Sequence, residues 1–303
     1  LKTGKNNSND IEFSIIGFSD FPYLRIHLSF FFLLIYILTL IGNLVLLSLI
    51  SLSPKLNTPM YYFLGNLSFL DILFTSVTAP KLIHIFAVNN GRTPLWECIT
   101  QLYFIIGFGS TESFLLTLMS YDRYIAVCKP LHYTAIMNHN VCIAGAIGSW
   151  LGGLMTSFPI ATSAAHDNYC GSNIINHFFC DIMALLKLAC NDITVTCTIL
   201  FVEIILTLMT CFLLTVISYI CILWSILKIH TSEGKYKAFS TCSSHLTVVS
   251  IFYVIIFALY LKPKSEISLN QGRVLTLLNV YFIPMFNPII YSLRNKEVRG
   301  AFK

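Results

Sequence analysis

The chain has 303 residues, of which 56% are hydrophobic and only 11% charged, and its mean hydropathy is +0.74, whereas a soluble domain carries about 25% charged residues. That balance excludes a water-soluble globular protein, and aromatic residues at 14% set within long apolar blocks exclude a disordered chain. The net charge of +5 comes from 19 Lys and Arg scattered along the chain without the dense basic stripe of a nucleic-acid binder, so the expected partner is membrane lipid and not nucleic acid.

About 20 apolar residues are needed to cross the hydrocarbon core as a helix, and seven blocks of that kind follow one another in the sequence. Residues 28–50 hold no charge, 59–83 contain Asp71, and 98–119 contain Glu112. Residues 141–162 come next, then 196–227 with Glu203, 239–261 and 274–293. None shows the alternation of a membrane barrel strand, and lipid offers no partner for an unpaired backbone group, so these are helices. The expected fold is an all-α membrane protein, a bundle of seven transmembrane helices over 24–293, with an amino-terminal tail at 1–23 and a carboxyl-terminal tail at 294–303.

Residues 1–23 are polar and hold no apolar core of a signal peptide, so the first span is expected to direct its own insertion. An odd number of spans puts the two tails on opposite sides. With the amino terminus outside, ten of the 19 Lys and Arg fall on the inner side, which gives that orientation only thin support. Asn6-Asn7-Ser8 is a glycosylation acceptor usable only on the lumenal side and favours an extracellular amino terminus and a cytoplasmic carboxyl terminus. Asn66-Leu67-Ser68 matches the same pattern but falls inside a span.

Four of the ten cysteines would then be lumenal, namely Cys98, Cys170, Cys180 and Cys190. An oxidising compartment favours disulfides among them, and four cysteines allow three pairings that the sequence alone leaves open. Cys142, Cys197, Cys211, Cys221 and Cys242 read as small apolar residues within helices.

In the third span, steps of seven and eleven residues return a helix to within about 20° of the same face, which puts Ile105, Gly109, Glu112 and Arg123 on one stripe. A charge facing lipid costs at least about 2.5–3.5 kcal/mol, so this stripe looks into the bundle, with Asn43, Asp71 and Asn287 as natural polar partners.

The segment Met119-Ser120-Tyr121-Asp122-Arg123-Tyr124-Ile125-Ala126-Val127-Cys128-Lys129-Pro130 closely resembles a signature of olfactory receptors, within the rhodopsin-like class of G-protein-coupled receptors. Pro59-Met60-Tyr61-Tyr62-Phe63-Leu64-Gly65-Asn66 in the second span is similar to the same family. So are Ser218-Tyr219, Lys237-Ala238-Phe239-Ser240-Thr241-Cys242, and Pro284-Met285-Phe286-Asn287-Pro288-Ile289-Ile290-Tyr291. Two features depart from the pattern. The family's Phe-Tyr-Gly-Thr reads Phe252-Tyr253-Val254-Ile255 here, which suggests an altered ligand preference, and Glu203 is an unexpected carboxylate.

The resemblance implies a receptor for small volatile odorants that activates a stimulatory, olfactory-type G protein and raises cyclic AMP, located in the plasma membrane of olfactory cilia. It implies a switch built from Asp122, Arg123 and Tyr124, with Tyr219 and Tyr291 filling the gap when the sixth helix moves, and with Asn287 compensating the backbone bond that Pro288 removes. It implies the disulfides Cys98–Cys180 and Cys170–Cys190, and a polar core in which Asp71 and Glu112 share a sodium ion or a proton. A hydrogen-bond network without any ion is the competing reading of that core. Candidate ligand contacts are Ile105, Ile106, Gly109 and Ser110 from the third helix, Glu203 and Thr207 from the fifth, Tyr253, Phe257 and Tyr260 from the sixth, and Val280 from the seventh.

A transporter would show two related halves with broken helices, and no such repeat is visible. An enzyme is not expected, since neither a His-Glu-x-x-His nor a Gly-x-Ser-x-Gly motif occurs. No cofactor beyond the possible sodium ion is implied. The nearest alternative is a non-olfactory rhodopsin-like receptor, and the Lys-Ala-Phe-Ser-Thr-Cys segment argues against it.

Overall fold

A computed structural model describes residues 11–17, 22–170, 172–260, 269–294 and 298, and among these described residues are seven helices long and apolar enough to cross a membrane. They are α1 (Arg25–Leu52), α2 (Pro59–Val88), α3 (Leu95–Cys128), α4 (His139–His166) and α5 (Thr194–Lys228). After these come α6 (Ser232–Tyr260) and α7, in which Leu269–Leu277, Leu278–Phe282 and Ile283–Arg294 run on as one rod. Asn6 lies outside the described residues, as does the tail beyond Arg294 apart from Val298.

Most of the helices outrun the apolar blocks that announce them, because the hydrocarbon core ends before the helix does. α3 continues nine residues past 119 to Cys128 and α6 begins seven residues before 239, at Ser232. Local chemistry sets several ends. Pro59 occupies the first turn of α2, where its missing N–H costs nothing, and Asn89 ends that helix in the left-handed conformation at φ 58°. The Asn138 side chain caps α4 by accepting from Val141 N at 3.1 Å.

Large apolar side chains cover the outward faces. Phe30, Leu34 and Ile41 on α1 and Phe201, Leu213 and Trp224 on α5 are exposed, which is the surface lipid requires and water would penalise. The core runs down the middle, where α3 packs against α2, α4, α5 and α6 and Leu67, Leu115, Leu116 and Met119 are fully buried. α3 and α4 approach most closely at Gly153. A Cβ there would stand 2.1 Å from Thr111 Oγ1 and 2.6 Å from the Gly107 carbonyl oxygen, so only glycine permits the approach. Asn66, whose glycosylation match looked accidental, accepts from Trp150 Nε1 at 3.1 Å within this packing.

At the end of the bundle where α1 begins sits a small sheet that the hydropathy pattern does not announce. β1 (Glu12–Ile15) lies between β2 (Arg92–Pro94), antiparallel to it, and β3 (Ile174–Ile175), parallel to it. The segment read as a polar tail therefore contains a strand. Phe13 and Ile15 alternate with Glu12 and Ser14 and are buried, as period-two geometry dictates, and Phe13 meets the edge of Tyr169 at 5.3 Å. Gly91 has no room for a side chain, since a Cβ would lie 1.9 Å from the Ile15 carbonyl oxygen.

Candidate functional site

Near the sheet, the bundle opens into a cavity of about 350 Å³. From α3 it is lined by Ile105, Ile106, Gly109, Ser110 and Ser113, and from α5 by Leu200, Glu203, Ile204, Thr207 and Leu208. α6 contributes Phe252, Ile256 and Leu259, and α7 contributes Arg273, Thr276, Asn279 and Val280. The walls are mostly apolar with a few polar groups, the usual make-up of a small-molecule site. One polar pair spans two helices: Ser110 Oγ donates to Glu203 Oε1 at 2.8 Å.

The segment between α4 and α5 closes the cavity. Its disulfide Cys98–Cys180 ties it to the head of α3, with the two Cα atoms 5.3 Å apart, and Cys170–Cys190 staples it internally. Cys180 N also donates to Gln101 Oε1 at 3.0 Å. The short helix Ile182–Leu186, capped by Asp181 accepting from Ala184 N at 3.0 Å, forms part of the cover. Arg273 Nε reaches from α7 to the Asn176 carbonyl at 3.1 Å. His177 is buried in the cover, and burial pushes its imidazole below the usual 6.5, with Arg273 adding to the effect and Asp181 opposing it. The sheet holds this segment in turn, since Ile16 N donates to the Ile175 carbonyl at 3.2 Å and Gly17 N to the His177 carbonyl at 3.1 Å.

Two of the cavity walls contain π-helical segments, Ile204–Met209 in α5 and Leu278–Phe282 in α7. The wider turn brings sequence neighbours to one side, so that Thr207 and Leu208 both line the cavity, as do Asn279 and Val280. Such bulges occur often at functional sites.

Below the cavity lies a buried polar layer. Asn287 Nδ2 donates to Asp71 Oδ2 at 2.9 Å, while Glu112 Oε1 is buried without a hydrogen-bond partner. Asn43 does not bond to Asp71. Its Nδ2 donates to the Thr39 and Pro284 carbonyls, both at 3.0 Å. The second of these corrects an expectation. Pro288 has no N–H for the carbonyl four residues earlier, and that carbonyl belongs to Pro284, so Asn43 is the compensating residue and Asn287 is engaged elsewhere.

At the far end of α3, Arg123 Nε donates to Asp122 Oδ2 at 2.9 Å, and Tyr133 OH donates to Asp122 Oδ1 at 2.7 Å. Burial, and then the neighbouring Asp122 charge, raise the Tyr133 phenol above its usual value. Tyr219 OH shares a hydrogen bond of 2.7 Å with His245 Nδ1, and the two rings stack. Tyr124 packs against the cluster of Tyr219, Ile222, Ile226 and Cys242. Tyr291 is buried on α7, and its hydroxyl has no hydrogen-bond partner among the described residues.

The family model of the olfactory receptors matches residues 32–303. Human olfactory receptor 5G3 is 47% identical over 300 residues, an alignment covering 99% of this chain and 95% of that one. Mouse olfactory receptor 5G29 is 44% identical over 299 residues, with 99% and 95% covered. The chain belongs to the olfactory receptor family. Among solved structures, squid rhodopsin superposes with a TM-score of 0.70 at 18% identity, covering 93% of this chain and 80% of its own, which places the fold among the rhodopsin-like receptors. The protein is therefore a multi-pass plasma-membrane receptor and not an enzyme, and its family implies a small-molecule ligand and a G-protein partner.

Seven of the ten ligand-contact candidates line the receptor's cavity: Ile105, Ile106, Gly109, Ser110, Glu203, Thr207 and Val280. Tyr253 and Phe257 do not. Their rings pack on Phe212 of α5 at 5.0 and 4.7 Å, and the stripe one residue earlier, Phe252, Ile256 and Leu259, faces the cavity instead. A one-residue offset is a rotation of about 100°. The Tyr260 side chain lies outside the described residues. The Val254-Ile255 departure also misses the cavity, since Val254 is exposed on the lipid side and Ile255 is buried in packing. The sequence reading missed the cover residues His177, Asp181 and Arg273, the α7 residue Asn279, and His245 as the partner of Tyr219. For His245 a signal was present, as it stands three residues after the Lys237-Ala238-Phe239-Ser240-Thr241-Cys242 segment, within the stretch that resembles the family; for the cover residues none was.

Proposed function

We propose that this receptor binds small volatile odorants in the cavity and activates a stimulatory, olfactory-type G protein, raising cyclic AMP in olfactory cilia. The observation that carries the reading is the placement of cavity and switch on one rigid element. Ser110, in the cavity wall, and Arg123 are thirteen residues apart on α3, about 20 Å at the rise of an α-helix. The amino terminus is outside in this reading, which puts the two disulfides and the Asn6 acceptor in the oxidising compartment and turns Asp122 and Arg123 toward the G protein.

Arg123 is tied to Asp122 and its side chain is largely buried, so in this reading a G protein meets it only after α6 moves. Activation is then a shift in population between two packings, driven by ligands that bind the open one better. The unpartnered Glu112 oxygen near Asp71 suits a sodium ion or a shared proton in the closed packing. The test is a ligand screen on cells reporting cyclic AMP, with Arg123→Ala alongside. The variant is expected to reach the surface and lose the agonist response. Normal signalling from Arg123→Ala at matched surface level would overturn the switch assignment.

A further inference from the structure

The hydrogen-bonding groups of the cavity are unevenly spent. Ser110 gives its hydroxyl proton to Glu203 at 2.8 Å, Ser113 gives its own to the Gly109 carbonyl at 3.1 Å, and Thr276 gives its own to the Gly272 carbonyl at 3.0 Å. Three of the four hydroxyls lining the cavity are thus committed as donors within the protein, and only that of Thr207 is left over. The cations that line the cavity, Lys187 and Arg273, stand at its cover, and among the groups deeper in the walls the carboxylate of Glu203 is the acceptor left over. Glu203 has no ion-pair partner among the described residues, and a carboxylate offers about four lone-pair sites, of which Ser110 uses one. Across the cavity on α7, Asn279 lines the wall with an amide that both donates and accepts, so Glu203 is the one group there that only accepts. A buried acceptor left unpaired is unfavourable, and a ligand that supplies a proton removes the penalty.

We infer that the receptor selects ligands whose polar head donates a hydrogen bond, amines and alcohols, over carbonyl compounds of the same skeleton. The inference rests on the cavity being the ligand site and specifies the chemistry it accepts. An aldehyde, ketone or ester brings only an acceptor to Glu203 and leaves that carboxylate unsatisfied, and only the Asn279 amide and the Thr207 hydroxyl can donate to it in the walls. A carboxylic acid, ionised, adds a like charge if its head sits beside Glu203, and is admitted only by turning that head toward Lys187 and Arg273 at the cover. An ammonium head answers the unpaired carboxylate with a charge as well as a proton, and an alcohol answers it with a proton alone.

The test compares straight-chain amines, alcohols, aldehydes and carboxylic acids of matched carbon number on cells expressing the full chain, read by cyclic AMP and normalised to surface labelling. Amines and alcohols are expected to be more potent than the matched aldehydes and acids by about tenfold or more. Glu203→Gln keeps shape and one acceptor but loses the charge and gains an N–H. It should weaken amines by about tenfold while leaving alcohols within about threefold and admitting aldehydes. A loss confined to amines assigns the charge the larger part, and equal losses for amines and alcohols assign it to the acceptor alone; either supports the inference. Aldehydes or acids that match the donors, or a Glu203→Gln variant with an unchanged amine-to-aldehyde ratio, would overturn it. If such aldehyde or acid responses vanish in Gly109→Val, which fills the cavity, the cavity stands and the donor preference alone falls. Silence of all four classes in a receptor at normal surface level would overturn both.

Discussion

Gly109 and Gly153 face in different directions from adjacent helices, and adding one methyl group to each should have opposite consequences. A Cβ at Gly109 would meet nothing within 4 Å, because the space beside it is the cavity. Gly109→Ala also replaces a glycine in the interior of α3, which favours the helix by about 0.5–1 kcal/mol, so surface expression should hold or rise. The cost falls on the ligand. One methylene of lost room in an apolar pocket is worth about 1–3 kcal/mol, or about 10–200-fold in discrimination. In a cavity of about 350 Å³ the longest agonist of a homologous series should lose potency by that factor, while members one or two carbons shorter keep theirs. At Gly153 the added Cβ would lie 2.1 Å from Thr111 Oγ1 and 2.6 Å from both the Gly107 carbonyl and the Thr111 nitrogen. Two of these are backbone atoms, so α3 and α4 would have to separate, at a cost of about 1–3 kcal/mol or more against a total stability of only about 5–15 kcal/mol. Gly153→Ala should therefore fail to reach the surface. Flow cytometry of an epitope-tagged receptor and dose–response curves across the series decide both points. A uniform shift for all chain lengths in Gly109→Ala, or normal expression of Gly153→Ala, would refute the geometry.

Asn43→Leu leaves the Pro284 carbonyl unpaired in the bundle, which costs about 1–3 kcal/mol, and should lower the melting temperature of detergent-purified receptor; an unchanged melting temperature would show that the carbonyl is satisfied elsewhere. Gly91→Ala should detach β1 from β2, exposing the amino-terminal segment to protease with little change in the transmembrane helices, as followed by limited proteolysis and circular dichroism. The His177 imidazole has its proton affinity lowered by burial, so the docked cover binds fewer protons than the undocked one. Its contribution is fully present above the ordinary value of 6.5 and is lost as pH falls below it. Thermal stability should accordingly drop between neutral and mildly acidic pH, and His177→Phe should flatten that drop.

The seven spans were legible because lipid imposes one requirement that sequence displays directly: long apolar runs with the backbone satisfied inside each run. The inward stripe of α3 was legible for a related reason, as Glu112 and Arg123 have nowhere else to face. β1 was not, because four residues with two buried side chains give a weak period-two signal, and the strand's stability comes from loops distant in sequence. The role of Asn43 was hidden by the same distance. That Pro288 frees a carbonyl follows from its covalent structure, but which side chain meets it depends on how closely α1 approaches α7. Gly42 marks that approach, where a Cβ would stand in ordinary contact with the Pro288 ring at 3.4 Å.

The face of α6 is the most instructive case, since spacing and residue type were both plausible for Tyr253 and Phe257 as cavity residues. A helical wheel fixes which residues share a face and says nothing about where that face points. In α6 the choice is made by Phe212 of α5, whose ring fills the space before Tyr253 and Phe257 and turns Phe252, Ile256 and Leu259 toward the cavity. The position of Phe212 depends in turn on the π-helical turn that ends at Met209, since one extra residue per turn rotates everything after it by about 100° relative to an unbroken α-helix. Val254, part of the departure expected to alter ligand preference, stands two residues after Phe252 on α6, about 200° round the helix, and so faces away from the cavity. The walls of the cavity are instead the side chains of α3, α5 and α7 around Glu203 and Asn279, together with the Phe252, Ile256 and Leu259 face of α6.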